Sequence, residues 1–588
     1  MTMSWTPTPH MSWISQVPPA PATPRIPRND YGVLGAPPAL GEWTPELSVS
    51  VVIPAYRAER TLPLTLAALA RQTYPGHLIE VVVVDDGEEP MGSLPDLVPQ
   101  RTRVIRPGPG VWGKPRDCAE GEEAADGDVI HFLDADLVLS PEHIEAQMRW
   151  HHLADYLVVL GHLRFVPGLD QVPAGEVLAA IEAGTLDRLF GDGTPQWTQR
   201  RWDETADLRE ADLQAFSVTV GATVSIRAEL LRAAGGMDRT LVLGEDTELG
   251  YRLAQAGAVF VADRAARGRH IGDSTVMRRE QDVKRHNWPY LAERVPAFRW
   301  LRGHPHRRYL VPYVEAVVRV GDASFEEVRA TVDGLLAGKL PDVAVKIIGP
   351  WGRLDDGRRS PLDDPWLDLR LVRGCYEGET RVAYCESLPE DCAPVPFRLH
   401  CPPGWVPSRG TLGSLVKFAD QHCLGVVSVA LEEREPPGPT GPRGSSGHSG
   451  SSGHSGSSGH SGLTGPDPRA EIVHARLERT AALNRARWCA RGSAAGDPAD
   501  LDDLVHEMFG TVWVAGDTWG LVSAEAAATA GQAPRKVRRQ PGKHPSRGAA
   551  RLRRIARLRR IARLCGVARL SRTARLLRRR LRAMVNPG

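Results

Sequence analysis

The chain has 588 residues with 73 Lys and Arg against 71 Asp and Glu, a formal net charge of +2, and 42% hydrophobic residues. By length alone the chain could hold roughly four domains, fewer once tails and linkers are set aside, and its near-neutral total hides a strongly divided charge. Eight cysteines without a Cys-x-x-Cys pair exclude a zinc ribbon and a disulfide framework, and they fit a reducing cytosol.

Residues 1–45 are proline-rich, with Pro18-Pro19-Ala20-Pro21, and lack the basic start and apolar core of a secretory signal, so disorder is expected there. Val49-Ser50-Val51-Val52-Ile53-Pro54-Ala55-Tyr56 then reads as a strand ended by proline, with a helix at Leu62, Leu66 and Leu69. Ile79 to Val84 is an apolar run of the kind a parallel sheet buries on both faces, and it ends in Asp85-Asp86-Gly87. Val129 to Leu133 reads as another strand, ending in Asp134-Ala135-Asp136. Right-handed β-α-β crossovers bring such strand ends to one edge of the sheet, where ligands bind in open α/β folds. Hard carboxylate oxygens suit Mg²⁺ or Mn²⁺, although acids after a strand also make turns and cap helices. Farther on, Val218 to Ile226 reads as a strand, Leu230 to Ala234 as a short helix and Gly235-Gly236-Met237-Asp238 as its stop. Gly244-Glu245-Asp246 opens a helix that continues through Leu253; acids in a first turn also serve the helix dipole alone.

The ordered set of Ile53-Pro54-Ala55-Tyr56, Val84-Asp85-Asp86-Gly87, Phe132 to Asp136, Gly235 to Asp238 and Gly244-Glu245-Asp246 resembles the family 2 glycosyltransferases. These are inverting enzymes of the GT-A fold, a Rossmann-like α/β architecture, with nucleotide-sugar donors. The resemblance covers roughly residues 47–300, about the size of one large domain. It implies that Tyr56 and Asp86 meet the base and ribose beside the backbone of Pro54 and Ala55, with Asp85 in the same donor set. It further implies that Asp136 ligates a divalent metal, Mg²⁺ or Mn²⁺, that Asp134 supports the metal or touches the donor, and that His270 completes the shell. Asp246, opened by Glu245, would be the general base. Lys114 and Arg116 stand where the family places basic contacts to the donor, but Asp117 replaces the asparagine common there. The Gln-x-x-Arg-Trp signature of processive synthases is absent after Asp246, and no run reaches the roughly 18 apolar residues of a membrane span. The expected activity is transfer of one or a few sugars to a glycan or lipid-linked acceptor in cell-envelope or polysaccharide synthesis. The expected location is cytoplasmic, or peripheral at the inner face of the membrane. A catalytically silent binding scaffold is the alternative, and a nucleotidyltransferase lacks its glycine-rich basic loop here.

With the first domain at 46–305, a second region at 309–530 replays the order. Val314 to Val320, a helix at Val328, Val332 and Leu335, and Val343 to Ile348 repeat strand, helix and strand, ending in Gly349-Pro350. Pro396 to Trp405 parallels Phe132 to Asp136 without its two acids, so a degenerate GT-A-like repeat is expected, for acceptor binding, pairing or bracing; an unrelated α/β domain stays open. A Gly/Ser/His insert at 436–468 interrupts it, with helix and strand resuming at Leu501 to Phe509 and Thr511 to Val514.

From Arg535 to Gly588, 20 Lys and Arg stand with no Asp or Glu, which leaves 53 basic against 71 acidic residues before them. Leu570, Ala574, Leu577, Leu581 and Met584 give the tail of residues 531–588 an amphipathic helical stripe. Docking on an anionic membrane surface is its first reading, rest against the acidic body the second, and nucleic acid the last, for want of interleaved aromatics.

Overall fold

A computed structural model describes residues 23–532 except 109, 111, 305–306, 356, 358–359, 435–470 and 492–497. The glycine-rich insert and the basic tail expected from the sequence lie outside the described residues.

The first domain is built on a nine-stranded mixed sheet. β1 (Val49–Ala55) pairs in parallel with β2 (Ile79–Asp85), which pairs with β3 (Thr102–Ile105), and on its other side with β4 (Val129–Leu133). α1 (Leu62–Ala70) and α2 (Lys114–Ala124) make the crossovers, each opened by a proline in its first turn where no amide partner is needed. β2 is buried along its whole length, as a central parallel strand should be. β5 (Leu137–Leu139), α3 (His143–His151) and the ten-residue β6 (Leu157–Val166) follow. A helical excursion then holds α4 (Ala174–Ala183), α5 (Leu186–Phe190), the short β7 (Thr194–Pro195) and α6 (Thr198–Glu204). β8 (Thr223–Arg227), α7 (Ala228–Ala233), α8 (Glu245–Gln255) and β9 (Val259–Ile271) complete the sheet in the order β3-β2-β1-β4-β8-β6-β9-β5. α9 (Thr275–Arg278) and α10 (Glu280–Arg294) close the domain.

Two expectations shift. The strand expected from Val218 begins at Thr223, because Thr219 to Ala222 forms a loop against the candidate site. Residues 23–45, expected to be disordered, form a strap on the body. Asn29 donates through Nδ2 to the carbonyls of Leu208 and Phe260 (both 2.9 Å), and its Oδ1 accepts from the Phe260 amide at 2.8 Å. Ile26 and Tyr31 are fully buried, Tyr31 against Trp150. Isolated anchors between prolines have no period, so pattern reading passes over them.

The second domain repeats the first domain's central strand order, without a counterpart of β7 and with its last two strands in place of β9. β10 (Val314–Arg319), α11 (Phe325–Leu336), β11 (Val343–Ile348), α12 (Leu367–Cys375), β12 (Val382–Cys385) and β13 (Phe397–His400) come first. β14 (Trp405–Pro407), α13 (Thr411–Gln421), β15 (Val426–Arg434), β16 (Glu471–Arg479) and α14 (Thr480–Ala490) follow. α15 (Pro498–Met508), β17 (Thr511–Ala515), α16 (Gly516–Trp519) and β18 (Leu521–Ser523) end it. Its sheet order, β12-β11-β10-β13-β16-β15-β17, maps onto β3-β2-β1-β4-β8-β6-β9 with every pair keeping its direction. The registers align Val49 with Val314, since each faces the first residue of its two parallel neighbours. β5 pairs Leu137 with His270, and β14 correspondingly pairs Trp405 with Ser523. Counted along these strands, Pro402, Gly404 and Ser523 stand where the first domain has Asp134, Asp136 and His270.

Each domain has an apolar cluster of its own, and a further cluster crosses between them. Trp488, Cys489, Val505, Met508 and Phe509 of the second pack in the same cluster as Ile26, Tyr156, Leu253 and Ala258 of the first.

Candidate functional site

β1, β2 and β4 deliver their carboxyl ends to one edge, and each expected acid pair is found there. After β4, the Asp134 amide donates to the Ala222 carbonyl at 3.0 Å, and the Asp136 carbonyl accepts from the Ile271 amide of β9 at 3.0 Å. The β5 and β9 pairing therefore lays His270 beside Asp136, with Nε2 to Oδ1 at 3.5 Å. Ligand atoms of Asp134, Asp136 and His270 all fall within 4.8 Å of one another.

The donor set fits a hard divalent cation. His270 Nδ1 sits 3.1 Å from the Gly272 carbonyl, which can only accept, so Nδ1 carries a proton there and Nε2 is the ring nitrogen turned toward Asp136. Among the described residues, the buried Asp136 Oδ1 has no hydrogen-bond partner. An oxygen so stranded costs free energy until something positive meets it. Burial pushes the Asp136 carboxyl above its ordinary range, while the adjacent His270 pulls it down.

Lys114, at the start of α2, bridges this cluster to α8. Its Nζ donates to Asp134 Oδ1 at 2.5 Å and to the Gly221 carbonyl at 3.3 Å. A methyl on Gly221 would lie 3.4 Å from Lys114 Nζ and 3.5 Å from Asp246 Cβ, so the ammonium and the Asp246 side chain flank the same backbone point. Burial works to lower the Lys114 pKa, but the Asp134 and Glu245 charges outweigh it and hold the ammonium protonated.

Glu245 and Asp246 form the first turn of α8, entered through Gly244 in the left-handed region (φ +85°). Three acids in that turn, Glu245, Asp246 and Glu248, favour the positive end of the helix. Burial and the Asp246 charge raise the Glu245 carboxyl to about 7, against Lys114. Asp246 is raised by burial too, opposed by Lys114, and its Oδ1 accepts from the Thr247 amide at 2.6 Å. Carboxyls raised in this direction hold a proton more tightly than free ones, which is the direction a general base requires.

Of the remaining expected donor residues, Ala55, Tyr56 and Asp85 line a cavity of about 540 Å³ together with Leu62 and the loop from Gly87. Pro54 precedes Ala55 in β1, and the Ala55 carbonyl accepts from the Asp86 amide at 3.1 Å. The Asp85 carboxylate accepts from the amides of Gly87 (3.1 Å) and Met91 (2.8 Å) and pairs with Arg106, so its charge shapes that loop. Asp86 faces Arg116 at 3.7 Å and keeps a buried Oδ2 that has no partner among the described residues. Asp117, also with a buried unpartnered oxygen, is raised to about 7 by burial and by Asp86. Sequence reading missed Trp112, which stands edge-on to Tyr56 with ring centroids 5.4 Å apart and is 55% exposed. An aromatic alone in a glycine-rich loop was its only signal. The Thr219 to Ala222 loop was missed because it was read as strand. Arg278 and Arg279 lie on α9 and just after it, with Arg279 paired to Asp282.

Comparison with known proteins agrees with this geometry. Residues 50–172 match the model of glycosyl transferase family 2. A chondroitin synthase of Escherichia coli is 25% identical over 242 residues, 38% of this chain and 34% of that protein. A validoxylamine A glucosyltransferase of Streptomyces hygroscopicus subsp. limoneus is 29% identical over 243 residues, 37% of this chain and 51% of that protein. The chain thus spans a third to a half of the length of these relatives. A solved mannosyltransferase from Pyrobaculum calidifontis, in complex with GDP-Man and Mn²⁺, is matched at 16% identity over 44% of this chain and 70% of that one, with a TM-score of 0.28. The segment that matches glycosyl transferase family 2, residues 50–172, contains β2, β4 and both strand-end acid pairs, Asp85-Asp86 and Asp134 with Asp136.

Proposed function

We propose that the chain moves a glycosyl unit from a nucleoside-diphosphate sugar to an acceptor hydroxyl with inversion at the anomeric carbon. The observation that carries this reading is the convergence of Asp134, Asp136 and His270 with Glu245 and Asp246 around Lys114. Asp136 and His270, with Asp134, would hold Mg²⁺ or Mn²⁺, which when bound offsets the charge that grows on a departing diphosphate. Tyr56, Trp112, Asp86 and Arg116 would receive the nucleoside, and Lys114 would add a fixed positive charge beside the diphosphate. Asp246 would take the proton from the acceptor hydroxyl as it attacks, with Glu245 and Lys114 setting its proton affinity. The names of the relatives, a validoxylamine A glucosyltransferase and a chondroitin synthase, support glycosyl transfer as the chemistry.

The acceptor side rests on sequence reading. Cell-envelope or polysaccharide glycan synthesis, at the inner face of a membrane met by the Arg-rich tail, is our reading of it; no described helix is long and apolar enough to cross a membrane.

The test is donor binding and hydrolysis across a panel of nucleotide sugars with Mn²⁺ or Mg²⁺, comparing wild type with Asp136→Ala and Asp246→Asn. One donor turned over with metal, with turnover lost in both variants, is the expected result. Absence of binding to every donor with either metal would refute it and leave the silent scaffold.

A further inference from the structure

Four consecutive carbonyls at the C-terminal end of α8 and just past it, those of Gln255, Ala256, Gly257 and Ala258, end on side chains of one helix from the other domain. Asn484 Nδ2 donates to Gln255 at 2.8 Å and Trp488 Nε1 to Ala256 at 2.9 Å. Arg485 donates through Nε to Gly257 and through Nη2 to Ala258 at 2.6 Å. The same guanidinium reaches the strap, donating through Nη1 to the carbonyls of Ile26 (3.1 Å) and Arg28 (2.6 Å). Arg485 is 2% exposed, and among the described residues no carboxylate pairs with it. A helix end leaves its last carbonyls without partners and carries partial negative charge, so a buried cation there answers both needs.

The contact is close and double. Gly257 has φ +95°, and a Cβ built on it would lie 2.6 Å from the Arg485 amide nitrogen. One turn earlier on α8, the Tyr251 hydroxyl donates to the Pro394 carbonyl of the second domain at 2.7 Å. The other end of α8 is the Glu245 and Asp246 turn, about 16 Å away along an eleven-residue helix.

Among the described residues, the second domain has no comparable site of its own. Pro402, Gly404 and Ser523 occupy the three ligand positions. Over the end of β11, Trp351 is buried, donates to the Ile347 carbonyl at 3.0 Å and stacks edge-on against Tyr384, where the first domain keeps its cavity open.

We propose that the second domain is a fixed brace for the catalytic helix of the first, acting through Asn484, Arg485 and Trp488 of α14, and is no second donor site; Arg485 is its positioning residue. The proposal rests on the glycosyltransferase reading only for its activity measurements.

The test uses the full chain as wild type, Arg485→Met and Arg485→Lys, with Leu335→Ala as a control that loosens the second domain's core away from α14. Hydrogen exchange is followed in residues 244–258, beside kcat, donor KM and the stoichiometry of a nucleoside diphosphate with Mn²⁺. Arg485→Met is expected to speed exchange through α8 and lower kcat about tenfold or more, with KM within about twofold of wild type, because misplacing a base costs rate more than donor affinity. Arg485→Lys should recover part of both. Leu335→Ala should leave α8 exchange unchanged at a similar loss of Tm, and one nucleotide should bind per chain. The brace is overturned if Arg485→Met leaves α8 exchange at the wild-type rate, if Leu335→Ala reproduces its effect, or if two nucleotides bind. If the wild type turns over no donor, the functional reading fails, and α8 exchange alone decides the brace. If Arg485→Met does not fold, Trp488→Phe, which removes only the indole donor to Ala256, is read in the same exchange measurement.

Discussion

Each acid at the sheet edge has a separate task set by its neighbours, although the sequence shows them as similar pairs. Asp85 is tied to two loop amides and Arg106, whereas Asp86 keeps an oxygen free beside Arg116. Asp136 keeps a free oxygen toward His270, whereas Asp134 is held by Lys114. We therefore expect Asp85→Asn to disturb the Gly87 to Met91 loop, and Asp136→Ala to abolish measurable Mn²⁺ binding by calorimetry with the fold unchanged by circular dichroism. Retained Mn²⁺ affinity in Asp136→Ala would remove the metal from this site. Trp112, exposed and edge-on to the cavity-lining Tyr56, should stack on a base if the proposed donor binds there. Trp112→Ala is expected to raise donor KM by about tenfold with kcat nearly constant, since one base–aromatic stack contributes about 1–3 kcal/mol. An equal fall in kcat with KM unchanged would place Trp112 on the acceptor side instead.

At the scale of elements, two glycines with similar backbone angles have different reasons to be glycine. Gly184 caps α4 at φ +66° with open space around it, whereas Gly257 at φ +95° abuts the backbone of α14. Gly184→Ala should cost about 1–2 kcal/mol, the strain of a left-handed residue. Gly257→Ala should cost clearly more, because α8 and α14 must part, and urea unfolding of both variants would separate the two. Equal losses would mean that the α8 and α14 contact yields easily. These elements also show what the sequence could and could not reveal. β1, β2 and β4 were legible because buried parallel strands read as unbroken apolar runs, and their terminal acids were legible because such runs stop abruptly. The second copy was legible in Val314 to Ile348 for the same reason, and its missing acids could be read directly at Pro402 and Gly404. The equivalence of Ser523 with His270 was not, because it depends on which short strand pairs with β14. Nor was Arg485: an arginine in a helix reads as a solvated charge, and only the tertiary fold shows four carbonyls around it.

At the scale of the whole molecule, a core cluster that runs through both domains makes them one cooperative body. A chain cut before Val314 would leave Tyr156, Ala256 and Ala258 facing water and the end of α8 without its caps. Calorimetry of the intact chain should thus give a single endotherm for the two α/β domains, and two resolved transitions would refute a shared core. Acid should weaken this body through its buried imidazoles. His131 and His143 stack at 5.6 Å and share the Thr223 hydroxyl, each at 2.8 Å, while His151 bonds Ser225 at 2.8 Å. Burial lowers His143 to about 4, with its bond to the Arg267 carbonyl opposing. Burial, then Arg227 and His152, lower His151 to about 3, and His131 is pushed well down by burial and by the other two imidazoles. Unfolding restores ordinary values near 6.5, so below that pH the unfolded chain binds protons that the folded chain refuses. Stability therefore rises with pH across this window and is lost as pH falls from about 6.5 toward 4, by about 1.4 kcal/mol per pH unit for each imidazole. Urea midpoints at pH 7 and pH 5 should show that fall, and His151→Gln should flatten it by roughly one imidazole's share. An unchanged midpoint between the two pH values would mean that these histidines are protonated in the folded chain.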